Sequence, residues 1–144
     1  ITAFLSRLIN NKRAIIFKTY AILSCLSAMS ICLFLVFGIH SKIIALVFWI
    51  PSFIGSISPL LILTLHLINR YEISATAVAV QNFGFFMMVG ILGTISGILM
   101  NTFEPVQKNG VLVYSNDSYL LVFGMFFILS IIEVFCAFRT KDKY

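Results

Sequence analysis

One carboxylic acid stands inside an otherwise uncharged apolar stretch, and it is the residue best suited to do chemistry. Glu133 lies six residues before Arg139, about 9 Å from the charged end of that stretch at the helical rise of 1.5 Å per residue. A carboxylate at mid-membrane costs on the order of 2.5–3.5 kcal/mol, so a partner or a function usually accompanies it. Three roles fit Glu133: a structural ion pair or hydrogen bond, hydration at the interface, or proton or ion coupling. Lys18 has a similar depth on another stretch and would be placed to pair with Glu133 if the two helices are neighbours.

Histidine is the other residue type considered for ion coupling, because an unperturbed imidazole gains or loses a proton near neutral pH. His66 lies near the end of an apolar stretch, where a structural hydrogen bond and ion coupling are the two interpretations. No H-E-x-x-H motif, paired carboxylates or histidine–cysteine cluster at metal spacing occurs in the sequence, so we predict no enzyme, no cofactor and no metal site. The cysteines are predicted to be small apolar packing residues: Cys25, Cys32 and Cys136.

Polar side chains fall on single helical faces in two other stretches. Trp49, Ser52 and Ser56 share one face by their i, i+3/i+4 spacing. That face would either line a cavity or pack a neighbouring helix, because Ser52 and Ser56 form a small-xxx-small pair. Gln81 and Asn82 are weaker candidates for the same cavity wall. A third stripe, at spacing i, i+4, i+7, consists of Tyr20, Ser24 and Ser27.

The composition requires a lipid environment. The 144 residues are 60% hydrophobic and 10% charged, with a mean hydropathy of +1.06. Ordinary soluble domains are about 45–50% apolar and about 25% charged. An apolar run of about 20 residues spans a bilayer core, and we predict an all-α membrane protein with four transmembrane helices at residues 14–37, 43–68, 75–100 and 119–138.

The spans differ in detail. Residues 43–68 contain Pro51 and Pro59 with Gly55 between them, which predicts a kinked helix. Residues 75–100 contain Gly90, Gly93 and Gly97, and this spacing lets another helix backbone come close. We expect these glycines to seat the helix against its own bundle rather than against a second protein. Residues 101–118 are the one long loop, and residues 139–144 form a basic tail.

The basic residues set the predicted orientation. On the side of the termini stand eight of the ten: Arg7, Lys12, Arg13, Lys18, Arg70, Arg139, Lys141 and Lys143. Lys42 and Lys108 are on the other side. By the positive-inside rule both ends of the segment are cytoplasmic and the 101–118 loop is outside. This predicts a multi-pass protein of the cell membrane, the inner membrane if the source is bacterial. Because the basic residues lie at the ends of the apolar runs, their excess is explained by membrane topology, and no nucleic-acid partner is expected.

Several motifs resemble the C-terminal third of the major facilitator superfamily. The opening AFLSRLINNKR is similar to that family's cytoplasmic loop motif after the second or eighth helix, with Ser6, Arg7, Lys12 and Arg13 matching, Ala3 near the motif's glycine, and its acid missing. The stretch from Ser74–Ala77 to Gln81–Gly84 looks like the start of the eleventh helix. The proline-containing span looks like the tenth, which borders the translocation path in this family.

The resemblance covers residues 1–144 and implies the end of helix eight followed by helices nine to twelve. About eight N-terminal helices of the same transporter would then be missing from this segment and would be its partner. It implies a secondary transporter that moves a small polar or charged solute by alternating access, driven by a proton or sodium gradient. By this reading Trp49, Ser52, Ser56, Gln81 and Asn82 form one wall of the solute site, and Glu133 and His66 are the ion-coupling candidates. The alternative is a four-span, non-transporting assembly or scaffold subunit that acts through helix–helix contacts.

Overall fold

The computed structural model describes residues 13–39, 47, 58–108 and 110–140. In these parts the chain forms four helices and one two-stranded sheet: α1 (Arg13–Val36), α2 (Ser58–Ile68), α3 (Tyr71–Met100), β1 (Val106–Lys108), β2 (Val111–Val113) and α4 (Asn116–Arg139). Within this described part, α1, α3 and α4 are long and apolar enough to cross a membrane. The structure is therefore mostly helical, as predicted, and its three long apolar helices are compatible with a membrane protein. Of the predicted 43–68 span, α2 is the described end.

Two of the three long helices begin earlier than the apolar runs that predicted them. Helix α4 begins at Asn116 because the Ser115 side chain caps it, accepting a hydrogen bond of 3.2 Å from the Ser118 backbone N–H. Helix α3 begins at Tyr71, with the acidic Glu72 in its first turn. An acid there stabilises a helix by interacting with the positive end of its dipole. A side-chain cap at α4 and a first-turn acid at α3 thus accompany helical turns that precede the lipid-compatible parts.

Residues 101–118 were expected to be a loop, but they contain an antiparallel β-hairpin. Its register pairs Val106 with Val113, Gln107 with Leu112 and Lys108 with Val111. The Asn109-Gly110 dipeptide lies between the strands, and Gly110 has a positive φ of 77°. Asn-Gly favours the tight turns that match strand twist, so the local sequence accounts for the hairpin.

Helices α1 and α4 form the most extensive packing among the described elements. They run antiparallel, because Lys18 near the start of α1 lies over Phe138 near the end of α4. The buried residues of these two helices are mostly small: Ala14, Ala21, Ser27 and Ile31 on α1, and Ser118, Ser130 and Ala137 on α4. Small side chains let helix backbones approach within a membrane, where no hydrophobic effect drives helices together.

Helix α3 is packed less extensively than α1 and α4 are against each other. It contacts α2 and α4, and Ser74 is its one buried residue within the described part. Phe83, Phe86 and Ile98 are 70%, 71% and 65% exposed. Large apolar side chains in this state are suited to lipid rather than to water.

The glycine face of α3 is open. Apart from the adjacent residues and nearby backbone of α3 itself, no described atom lies within 4 Å of the position that a Cβ would occupy at Gly90, Gly93 or Gly97. The expected close helix contact at these glycines is therefore not formed by the part of the chain that the structure describes. The face remains free for a helix that lies outside it.

Candidate functional site

A cavity of about 360 Å³ lies between α1 and α4. Its polar lining consists of Tyr20, Ser24 and Ser27 from α1 and Ser130 and Glu133 from α4. Apolar side chains complete the wall, among them Leu92 of α3. The three helices that are long enough to cross a membrane therefore meet around one mostly apolar cavity that contains a cluster of polar side chains.

Helical periodicity explains why these five residues converge. Tyr20, Ser24 and Ser27 recur at i, i+4 and i+7, so they lie on one face of α1. Ser130 and Glu133 are three residues apart and share a face of α4. The antiparallel contact of α1 with α4 brings the two faces together, and it confirms the stripe that the sequence predicted on α1.

The Ser24 hydroxyl donates a hydrogen bond to the Glu133 carboxylate. Tyr20 is near enough to the same carboxylate to interact with it electrostatically. Glu133 is only half-buried, because the cavity keeps one side of it accessible. The acid is thus held by one neutral donor from the partner helix and retains unused acceptor capacity, since an ionised carboxylate has about four lone-pair sites.

The other two serines already use their hydroxyl protons. Ser27 Oγ donates to the Val47 carbonyl oxygen at 2.7 Å, and Ser130 Oγ donates to the Phe127 carbonyl oxygen at 2.7 Å. A hydroxyl that donates elsewhere can offer only its oxygen lone pairs to a ligand. With Glu133, the cavity therefore presents mainly acceptors, an arrangement suited to a proton or another cationic donor.

The ion pair that Lys18 and Glu133 could form between neighbouring helices is not present, although α1 and α4 are neighbours. Lys18 Nζ instead lies 5.7 Å from the centroid of the Phe138 ring. Arg139 is stacked similarly on Phe135, at 4.7 Å. Both cations thus bind aromatic faces at the charged end of the helix pair, and no described cation neutralises Glu133.

His66 lies at a different place in the fold. Its Nδ1 forms a hydrogen bond with Ser74 Oγ across the short connection between α2 and α3. Ser74 is 4% exposed, so this bond satisfies a buried hydroxyl. His66 does not line the cavity that contains Glu133. Its bond to Ser74 is compatible with a structural role, and ion coupling through His66 stays a prediction.

The five solute-wall candidates are not part of this cavity as described. Trp49, Ser52 and Ser56 lie outside the described residues, between Val47 and Ser58. Asn82 is exposed on α3. Gln81 has its side-chain oxygen shielded from solvent, and this oxygen accepts no hydrogen bond from the part of the chain that is described. Their role as a solute wall stays a prediction.

Sequence reasoning identified Glu133 but did not assign Tyr20, Ser24, Ser27 or Ser130 to the site. The available signal was the stripe on α1, whose spacing matches that of Ser130 and Glu133 on α4. Nothing in the sequence indicated that α1 and α4 pair. Among the described residues, no group of three histidine, cysteine or acidic side chains is placed to hold a metal ion.

Comparisons with protein-family models, with curated proteins and with solved structures found no match. The geometry of the cavity and the sequence resemblance are therefore the two grounds for a functional argument.

Proposed function

We propose that this chain is the C-terminal part of a transporter of the major facilitator type, which moves a small polar or charged solute by alternating access. In this proposal α1, α3 and α4 correspond to helices nine, eleven and twelve, and α2 is the end of helix ten. The chain then crosses the membrane four times with both ends in the cytoplasm. The antiparallel packing of α1 and α4 is compatible with that topology, because the first and fourth of four spans run in opposite directions.

One observation supports coupling to an ion more than any other. Glu133 lies in a cavity between two spanning helices, bonded to Ser24 and not neutralised by any described cation. An intramembrane acid of this kind marks an ion or proton pathway. In the proposed cycle Glu133 binds a proton or a small cation and releases it when the helices rearrange.

The same proposal assigns the solute to other residues. Trp49, Ser52, Ser56, Gln81 and Asn82 supply one wall of the solute site, which is completed by helices outside this segment. Polar groups at the midplane between two helical halves are where secondary transporters bind their solutes. Glu133 would then act at a distance from the solute.

Proton flux tests the coupling without knowledge of the solute. The full-length protein is reconstituted into vesicles that contain a pH-sensitive dye and challenged in turn with amino acids, organic acids, sugars and organic cations. At least one class should change the internal pH, and Glu133→Gln should abolish that change. Glu72→Gln is the matched control, since this acid lies in the exposed first turn of α3 and outside the cavity.

If every solute leaves the pH unchanged, or if Glu133→Gln retains the signal, proton coupling through Glu133 is wrong. The coding sequence upstream of Ile1 tests the family assignment separately. About eight further hydrophobic spans, with a matching loop motif after the second, would support it. A start codon directly before Ile1 would contradict it.

The open glycine face favours one second candidate, a non-transporting subunit that assembles through helix contacts. Gly90, Gly93 and Gly97 present a surface to which another helix can dock closely. Both candidates require such a helix. In the transporter it belongs to the same polypeptide, whereas in the assembly subunit it belongs to another protein.

A further inference from the structure

We propose that the hairpin of β1 and β2 lies on the bilayer with its valine face in the lipid headgroup region. This inference concerns the connection between α3 and α4, and it does not depend on transport. It requires only that these two helices cross the membrane.

The register defines the face. Val106 pairs with Val113 and Lys108 pairs with Val111, and alternate residues of a strand point to the same side of the sheet. One side of the hairpin therefore carries three valines and Lys108, which we call the valine face. The opposite side carries the Gln107–Leu112 pair.

Nothing in the described part of the chain covers the valine face. Val106, Val111 and Val113 are 60%, 64% and 44% exposed. An isolated two-stranded hairpin is marginally stable in water, and packing on another surface is needed to stabilise it. The exposed valines therefore indicate a missing neighbour rather than a water-facing sheet.

The chain keeps this face close to the membrane surface. Val113 is three residues from Asn116, the first residue of α4, so the two Cα atoms are separated by at most about 11 Å. The headgroup region on each side of a bilayer is about 5–8 Å thick. The last residue of β2 is consequently tethered within reach of the lipid headgroups, and these can cover the valine face.

Flanking residues fit the same placement. Phe103, Tyr114 and Tyr119 precede or follow the strands, and aromatic side chains are enriched where a protein meets the membrane interface. Lys108 lies on the valine face, where its long side chain can extend to a phosphate. Glu104 and Asp117 offset this single positive charge, so apolar contact rather than attraction to anionic lipid holds the hairpin.

Tryptophan fluorescence measures the depth of the face. Trp49, the single native tryptophan, is first replaced by phenylalanine in the full chain, which is reconstituted in phosphatidylcholine vesicles. Val111→Trp and Val106→Trp place a reporter on each strand of the valine face, and Gln107→Trp places one on the opposite face. Tryptophan is favoured in strands, so the reporter is compatible with the hairpin.

Both valine-face reporters should emit at shorter wavelength than the Gln107 reporter. They should also lose intensity when the lipid is brominated near the headgroup end of its acyl chains, whereas the Gln107 reporter should be quenched mainly by aqueous iodide. Three results would overturn the proposal: equal iodide quenching of all three reporters, unequal depths for Val106 and Val111, or blue-shifted emission without bromolipid quenching. The last would assign the face to a protein partner.

Discussion

Ser24 on α1 and Glu133 on α4 are joined by a hydrogen bond that crosses between two antiparallel membrane helices. Glu133 is the only acid deep within a predicted span, and this bond connects it to the neighbouring helix α1. The bond combines two tasks, because it satisfies part of the carboxylate and it connects the helices that enclose the cavity. The predictions below separate these tasks.

Removing the Ser24 donor should weaken the helix pair. We expect Ser24→Ala to lower the free energy of unfolding by about 0.6 kcal/mol, the average for hydrogen bonds between membrane helices, and by no more than about 1.7 kcal/mol, the largest such value. Titration with a denaturing detergent, followed by circular dichroism, measures the change. Ser30→Ala is the control, because Ser30 donates at 2.7 Å to the Leu26 carbonyl oxygen of its own helix. Equal losses for the two variants would show that the Ser24 bond contributes nothing specific.

Enlarging the most buried alanine should disrupt the same pair by a different mechanism. Ala21 is 1% exposed, so Ala21→Leu must separate the packed elements or strain its rotamer, at a cost of about 1–3 kcal/mol. Ala79→Leu, at an exposed position of α3, should change stability by less than about 0.5 kcal/mol. The detergent titration again measures both. A tolerated leucine at Ala21 would mean that the helices are not closely packed there.

The bond between His66 and Ser74 is predicted to be structural. Ser74→Ala should destabilise the chain by about 0.5–1.5 kcal/mol, the net value of an ordinary hydrogen bond. In the vesicle assay His66→Gln should leave solute-driven proton movement intact while Glu133→Gln abolishes it. If instead His66→Gln removes coupling as completely as Glu133→Gln does, then His66 is an ion-coupling residue and its bond to Ser74 is part of the pathway.

Larger side chains on the glycine face should not destabilise this segment by itself, but they should prevent another helix from docking closely. Gly93→Ala adds a Cβ that meets no described atom, and alanine is more favourable in a helix than glycine by about 0.8–1.0 kcal/mol. We therefore expect this segment alone to be no less stable. Gly93→Leu should nevertheless break any close contact with a docked helix.

Crosslinking in membranes distinguishes the two candidate functions at this face. A contact within one polypeptide yields a crosslinked monomer, as the transporter requires. A contact with a separate protein yields a heavier species, as the assembly subunit requires. In either case Gly93→Leu should remove the crosslink. A crosslink that survives this substitution would exclude the glycine face as the docking site.

Much of the local structure could be predicted from the amino-acid sequence. Apolar runs gave the ends of α1 to within about one residue, which is finer than the uncertainty of such boundaries. The starts of α3 and α4 were missed because they depend on Glu72 and on the Ser115 cap, and these polar residues add helical turns without adding hydrophobicity. The hairpin was missed as well, although Asn109-Gly110 is a strong turn signal.

The candidate site also combines features that the sequence predicted with features that only the tertiary structure decided. The uncharged stretch around Glu133, and the stripe formed by Tyr20, Ser24 and Ser27, follow from the sequence alone, because helical spacing and the cost of a buried charge act within one segment. Only the tertiary structure decided that these two features face each other, that Lys18 binds Phe138 instead of Glu133, and that His66 binds Ser74. Pairing between spans depends on which backbones approach closely, and many helix pairs of similar composition would satisfy the same hydropathy. The sequence therefore determined a helical membrane protein with one costly acid, and the packing of α1 against α4 determined what that acid contacts.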